Sequence, residues 1–134
     1  MPTAYKLAKQ KEQEVQSFAD SLESLDITQL NAKPESFQSL IGLEVEDYFE
    51  DFELLAVQVD ESMIVSKSGA KSLGFHLTGV FSYGAQTIEE KFTLWISEHG
   101  NCKVSGFQER VSTRSLDWRK HVAPLLVSLG LIPA

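Results

Sequence analysis

The sequence predicts an α+β fold, with N-terminal helices, a five-stranded antiparallel meander and a C-terminal helix packed on one face of the sheet. Three observations predict it. Apolar residues recur at helical spacing near both ends of the chain. Between residues 73 and 97 they alternate with other residues over two long runs, as in strands with one buried face. Tyr83-Gly84-Ala85-Gln86 separates those runs, and glycine at the first central position of a two-residue loop suits a turn whose twist matches paired strands.

The elements follow in chain order. Residues 4–25 form an amphipathic helix with Leu7, Val15, Phe18, Leu22 and Leu25 on one face, and Thr3 can cap its start. Asp26-Ile27-Thr28-Gln29 resembles a capping box and leads a short helical turn. Pro34 suits the first residue of a second helix that buries Phe37, Leu40 and Ile41 and ends at Gly42.

Residues 43–53 are the most charged stretch. Val45, Tyr48, Phe49 and Phe52 recur at helical spacing among acidic residues, which predicts a short helix; an irregular acidic loop is the alternative. Glu46, Asp47, Glu50 and Asp51 would then form an acidic docking surface for a basic protein partner, or simply a solvated face beside a buried aromatic stripe.

The strands are Leu54–Val59, Met63–Lys67, Leu73–Ser82, Thr87–Ser97 and Cys102–Arg110, in the order 1-2-3-4-5. Turns are expected at Asp60-Glu61-Ser62, Ser68–Lys71, Gly84-Ala85 and Glu98–Asn101. The last helix carries the stripe Trp118, Val122, Leu125, Leu126 and Leu129, capped by Ser115 or Thr113, with a kink near His121–Ala123 ahead of Pro124. A chain of 134 residues without a linker or repeat suggests one domain.

The Gly84-Ala85 loop dictates the register of the central hairpin. Phe81 faces Ile88, Leu77 faces Phe92, Phe75 faces Leu94 and Leu73 faces Ile96, all on the helical face. Gly79 faces Glu90 on that face, leaving room for the carboxylate to bend away. On the opposite face Gly74 lies under Trp95 and His76 meets Thr93, with Thr78, Val80 and Val104 alongside. That second face is semi-apolar, and a curled sheet around a pocket, a dimer contact or the acidic helix would each cover it. A helix followed by a meander that Gly79 can bend resembles in architecture the NTF2-like and cystatin-like folds, without any shared motif.

A net charge of −7 argues against nucleic-acid binding, which needs a basic surface. One cysteine, Cys102, excludes an internal disulfide and fits the cytoplasm. No run approaches the roughly 20 apolar residues of a membrane helix, and Met1–Gln10 lacks a signal-peptide core. Phosphate-loop, nucleophile-elbow and zinc-protease motifs are absent, and neither a cofactor nor a metal is expected. Among the histidines, His99 belongs to a turn and is expected to be exposed, and only His76 lies in the middle of the sheet. With Thr93, Trp95, Thr78 and Met63 it forms the candidate ligand- or partner-binding site, or else a satisfied half-buried histidine. The first functional expectation is a non-enzymatic binding protein acting through protein contacts as a homodimer. The second is a small-molecule-binding cup, or an enzyme, with its pocket around His76 and Trp95.

Overall fold

The computed structural model describes residues 4–30, 33–38, 40, 52–67, 69–106, 114–115 and 117–133. Helix α1 spans Ala4–Ser24. Its buried residues Phe18 and Leu22 lie four apart, with Val15 and Leu25 packed beside them, as helical periodicity requires. A carboxylate oxygen of Asp26 accepts from the Thr28 N–H at 3.0 Å and from its hydroxyl at 2.6 Å, capping the short 3-10 turn Ile27–Gln29. Residues 34–38 form helix α2, opened by Pro34; Phe37 and Leu40 are buried, and the Phe37 ring meets Phe75 edge-on at 5.3 Å.

The sheet is antiparallel, with four strands β1 (Phe52–Lys67), β2 (Ala70–Tyr83), β3 (Gln86–Ser97) and β4 (Cys102–Ser105) in sequence order. A two-residue segment, β5 (Arg114–Ser115), pairs with β4 at its edge. The β2–β3 register is the expected one at every position named above, from Leu73 opposite Ile96 to Tyr83 opposite Gln86. Gly84 has φ +59°, the left-handed value that the first loop position demands.

Three strand assignments need correction. The predicted strands Leu54–Val59 and Met63–Lys67 are one 16-residue strand. Asp60-Glu61-Ser62 is not a turn: Val59 pairs with Leu77 and Glu61 with His76, so Asp60 is the extra residue of a β-bulge. A similar irregularity leaves Leu55 unpaired and 49% exposed. Phe52 already belongs to β1, so the end of the predicted acidic helix is strand, and residues 41–51 lie outside the described residues.

The third correction concerns β4, which ends at Ser105 rather than Arg110. Cys102 pairs with Ile96 and Val104 with Leu94, so both face the helices, and Val104 is not on the second face. Five residues, not four, separate the paired ends, with the Ser97 and Asn101 backbones bonded inside the loop at 2.9 Å. One added loop residue reverses the facing of the whole strand.

The helices and the helical face of the sheet share one apolar core. Leu73, Phe75, Leu77, Phe81, Phe92, Leu94 and Ile96 are all buried there with Phe18, Phe37, Trp118 and Leu126. Each such side chain contributes roughly 1.5–3 kcal/mol relative to exposure. Met63, Val65, Val80 and Trp95, on the other face, belong neither to this core nor to the apolar residues packed against it.

The C-terminal helix starts later than expected. Ser115 is engaged in the β5 pairing with Lys103, and the Asp117 carboxylate caps instead, accepting from the Lys120 N–H at 3.0 Å. That hydrogen bond, first among several favourable influences, holds the Asp117 carboxyl below its usual pKa. A wide π-helical turn, Trp118–Val122, precedes helix α3 (Ala123–Ser128). Pro124 has no N–H to donate, and the change of helical pitch falls at its doorstep, in the region where the kink was expected. Gly130 (φ +78°) ends α3 with paired bonds from Gly130 N–H to Val127 and from Leu131 N–H to Leu126. The Ser21 hydroxyl on α1 then ties down the Leu131 carbonyl at 2.9 Å. The Trp118 indole donates to Glu14 at 2.9 Å, with the Phe18 ring 6.4 Å away, docking the last helix on the first.

Candidate functional site

The face opposite the described helices is organised in rows that run across the strands. The bulge at Asp60 brings Glu61 opposite His76; His76 is opposite Thr93, and Thr93 opposite Ser105. Four polar side chains from four adjacent strands therefore stand in one line on one face. The neighbouring row is Met63, Gly74, Trp95 and Lys103, and on the other side Gln58, Thr78 and Lys91 line up.

His76 is half-buried, and its Nδ1 shares a hydrogen bond with the Thr93 hydroxyl at 3.1 Å. This uses one ring nitrogen and leaves Nε2 without a partner among the described residues. The Thr78 hydroxyl bonds the Asp60 carboxylate, which pins the bulge to β2. Trp95 lies over Gly74 so closely that a Cβ there would come within 2.7 Å of the indole and 3.3 Å of the Met63 side chain. The expected stacking of the indole on the bare glycine is present.

An open groove of about 550 Å³ crosses this face. Its walls are Asp60, Glu61, His76, Lys91, Thr93 and Ser105; Gly106 forms the β4 rim, and Leu77 and Phe92, whose side chains belong to the core face, complete the floor. Of the five residues expected at the site, His76 and Thr93 line the groove. Trp95 and Met63 form a separate apolar patch one row away, and Thr78 stands behind Asp60. Asp60, Glu61, Lys91 and Ser105 were not anticipated. The alternation of β3 carries a signal for Lys91, since it shares the parity of Thr93 and Trp95. Glu61 carries none, because its facing depends on the bulge.

The remaining candidates are disposed of simply. Glu46, Asp47, Glu50 and Asp51 lie outside the described residues. Glu90 faces Gly79, half-buried, but the space above that glycine is filled by the Phe81 and Phe92 rings, in edge contact at 5.5 Å, rather than left for the carboxylate. Cys102 is buried in the core, and burial pushes its thiol pKa up to about 12, opposite to what a nucleophile needs. His99 is exposed in the β3–β4 turn, with Nε2 3.8 Å from Glu98. Among the described residues no cluster of His, Cys, Asp and Glu is arranged to hold a metal ion, and no helix is long and apolar enough to cross a membrane.

The chain matches no family model, no curated protein and no solved structure. The NTF2-like or cystatin-like architecture expected from the sequence is therefore not confirmed, and the groove has to be read from its own chemistry.

Proposed function

We propose that this protein is a small binding protein without catalytic activity, and that its ligand sits in the groove around His76 and Thr93. One observation carries the reading: the row Glu61, His76, Thr93 and Ser105 converges on a face that lends no large side chain to the core. Convergent polar groups over a recess of about 550 Å³ match the size and chemistry of small-molecule sites, which run to about 300–1,000 Å³. The non-catalytic part rests on an incomplete set of groups: Thr93 is the hydroxyl that His76 engages, at 3.1 Å, and no carboxylate among the described residues bonds the other ring nitrogen to orient the imidazole as a base.

Amide NMR of the full chain against a small-molecule collection tests this. Binding should shift the amides of Glu61, His76, Thr93 and Ser105 together, and His76→Ala should abolish it. A collection in which no compound moves these residues would overturn the reading.

A second reading is favoured by Trp95. A half-buried indole over Gly74 and beside Met63, one row from the groove, is the residue type that anchors protein interfaces. Self-association through this patch would make the protein a homodimer. Light scattering should then report twice the chain mass, falling to one chain mass in Trp95→Ala; a wild-type monomer at high concentration would end this reading.

A further inference from the structure

The groove's charges are sorted by strand. Its carboxylates, Asp60 and Glu61, both belong to β1, and its ammonium, Lys91, belongs to β3. His76, on the strand between, separates them. Asp60 already accepts from Thr78, whereas Glu61 and Lys91 make no ion pair with each other or with any other residue among those described. Two exposed groups of opposite sign thus stand on opposite walls of one recess, with no partner among the described residues.

We propose that the ligand is a short zwitterion of dipeptide size, held with its ammonium toward Glu61 and its carboxylate toward Lys91. This rests on the groove being a ligand site. A purely cationic ligand would gain Glu61 but sit against Lys91, and an anion would meet the reverse. A neutral ligand would desolvate both charges without pairing either, which is costly. Only a ligand carrying both signs satisfies both walls.

Length selects among zwitterions. Glu61 and Lys91 are two strand spacings apart across the sheet and two residues apart along it, about 12 Å on the diagonal between their backbones. A free amino acid is too short to engage both walls at once. Two extended residues span about 7 Å, and the Glu61 and Lys91 side chains close the rest. The middle of such a ligand is a peptide amide, which needs a hydrogen-bonding group, and the Nε2 of His76, without a partner among the described residues, stands on β2 between the walls.

The test uses the full chain, followed by amide NMR, with four probes: L-alanyl-L-alanine, its N-acetyl form, its C-terminal amide, and the doubly blocked compound. The free dipeptide should bind, and blocking either end should weaken binding at least about tenfold, with the doubly blocked compound weakest. Glu61→Gln should erase the advantage of the free amine while keeping that of the free carboxylate, and Lys91→Gln should do the converse. Both residues are exposed, and the spectra themselves report whether each variant is folded. If a blocked probe binds the groove as tightly as the free dipeptide, the zwitterion proposal is overturned and the groove reading survives. If no probe, and no compound of the wider collection, moves the groove amides, both fall.

Discussion

On the helical face, the β2–β3 ladder pairs phenylalanine with leucine or isoleucine at three rungs and leucine with isoleucine at a fourth. On the opposite face the same two strands pair histidine with threonine, threonine with lysine, and glycine with tryptophan. Most of the first set is buried in a core shared with the helices, and the side chains of the second stay half-buried or exposed. The backbone is common to both, so the contrast isolates what side chains do. The first face excludes water and must be filled without gaps. The second keeps its polar groups near water, where they cost little to maintain and remain able to exchange water for a ligand. Substitutions should therefore sort by face, and each prediction below breaks or sharpens that division.

The largest effect belongs to Phe92, 3% exposed and in edge contact with Phe81. Phe92→Ala should cost about 3–5 kcal/mol in urea unfolding, through lost burial and the cavity left behind. A cost below about 1 kcal/mol would place the residue outside the core and remove the distinction between the faces.

A matched pair of substitutions sharpens it. A Cβ at Gly79 would lie 2.6 Å from the Phe92 ring and 2.9 Å from that of Phe81, both locked in the core. A Cβ at Gly74 would lie 2.7 Å from the Trp95 ring, which is only half-buried and can swing away. Gly79→Ala should cost about 1–3 kcal/mol by overpacking, and Gly74→Ala clearly less. Equal costs would mean that Trp95 is held as firmly as the core rings.

Cys102 extends the helical face to β4, and its thiol gives that face a pH signature. Its folded pKa is raised by burial from 9.0 to about 12, so above pH 9 the unfolded chain loses a proton that the folded chain keeps. Stability should then fall as pH rises through that window, with a slope that approaches about 1.4 kcal/mol per pH unit from this group alone. The measurement is the urea midpoint at pH 8 and pH 10 for wild type and Cys102→Ala. The variant should show the shallower decline, and parallel declines would show Cys102 ionising freely in the folded state.

The division between faces was largely legible in the sequence for β2 and β3, because Gly84-Ala85 sets the register and the alternation then settles every facing. It was not legible where strand parity is reset. Asp60-Glu61-Ser62 has the composition of a turn, and nothing local distinguishes a turn from a bulge; pairing with the long β2 decides it, carrying β1 straight through and turning Glu61 to the groove. The β3–β4 loop is the same problem in miniature: one residue of loop length moved Val104 from the open face to the core. Half of the groove's walls come from β1 and β4, so the site was legible only on β2 and β3, at His76, Thr93 and, by strand parity, Lys91. The Asp117 cap was missed for a related reason, since the pairing of Ser115 in β5 delays the helix.

The smallest effect on stability should come from the centre of the groove itself. Thr93→Val removes the hydroxyl that His76 Nδ1 engages at 3.1 Å while keeping a β-branched side chain suited to a strand. An intramolecular hydrogen bond is worth about 0.5–1.5 kcal/mol net, and on a face open to water a solvent molecule can take the place of the lost hydroxyl. The expected cost is therefore at most about 0.5 kcal/mol, roughly a tenth of that for Phe92→Ala at the adjacent residue of the same strand. Groove binding should respond in the opposite proportion, weakening several-fold as the imidazole loses the contact that orients it. A stability loss approaching that of the core variant would make His76 and Thr93 structural, and the face opposite the described helices a second core rather than a site.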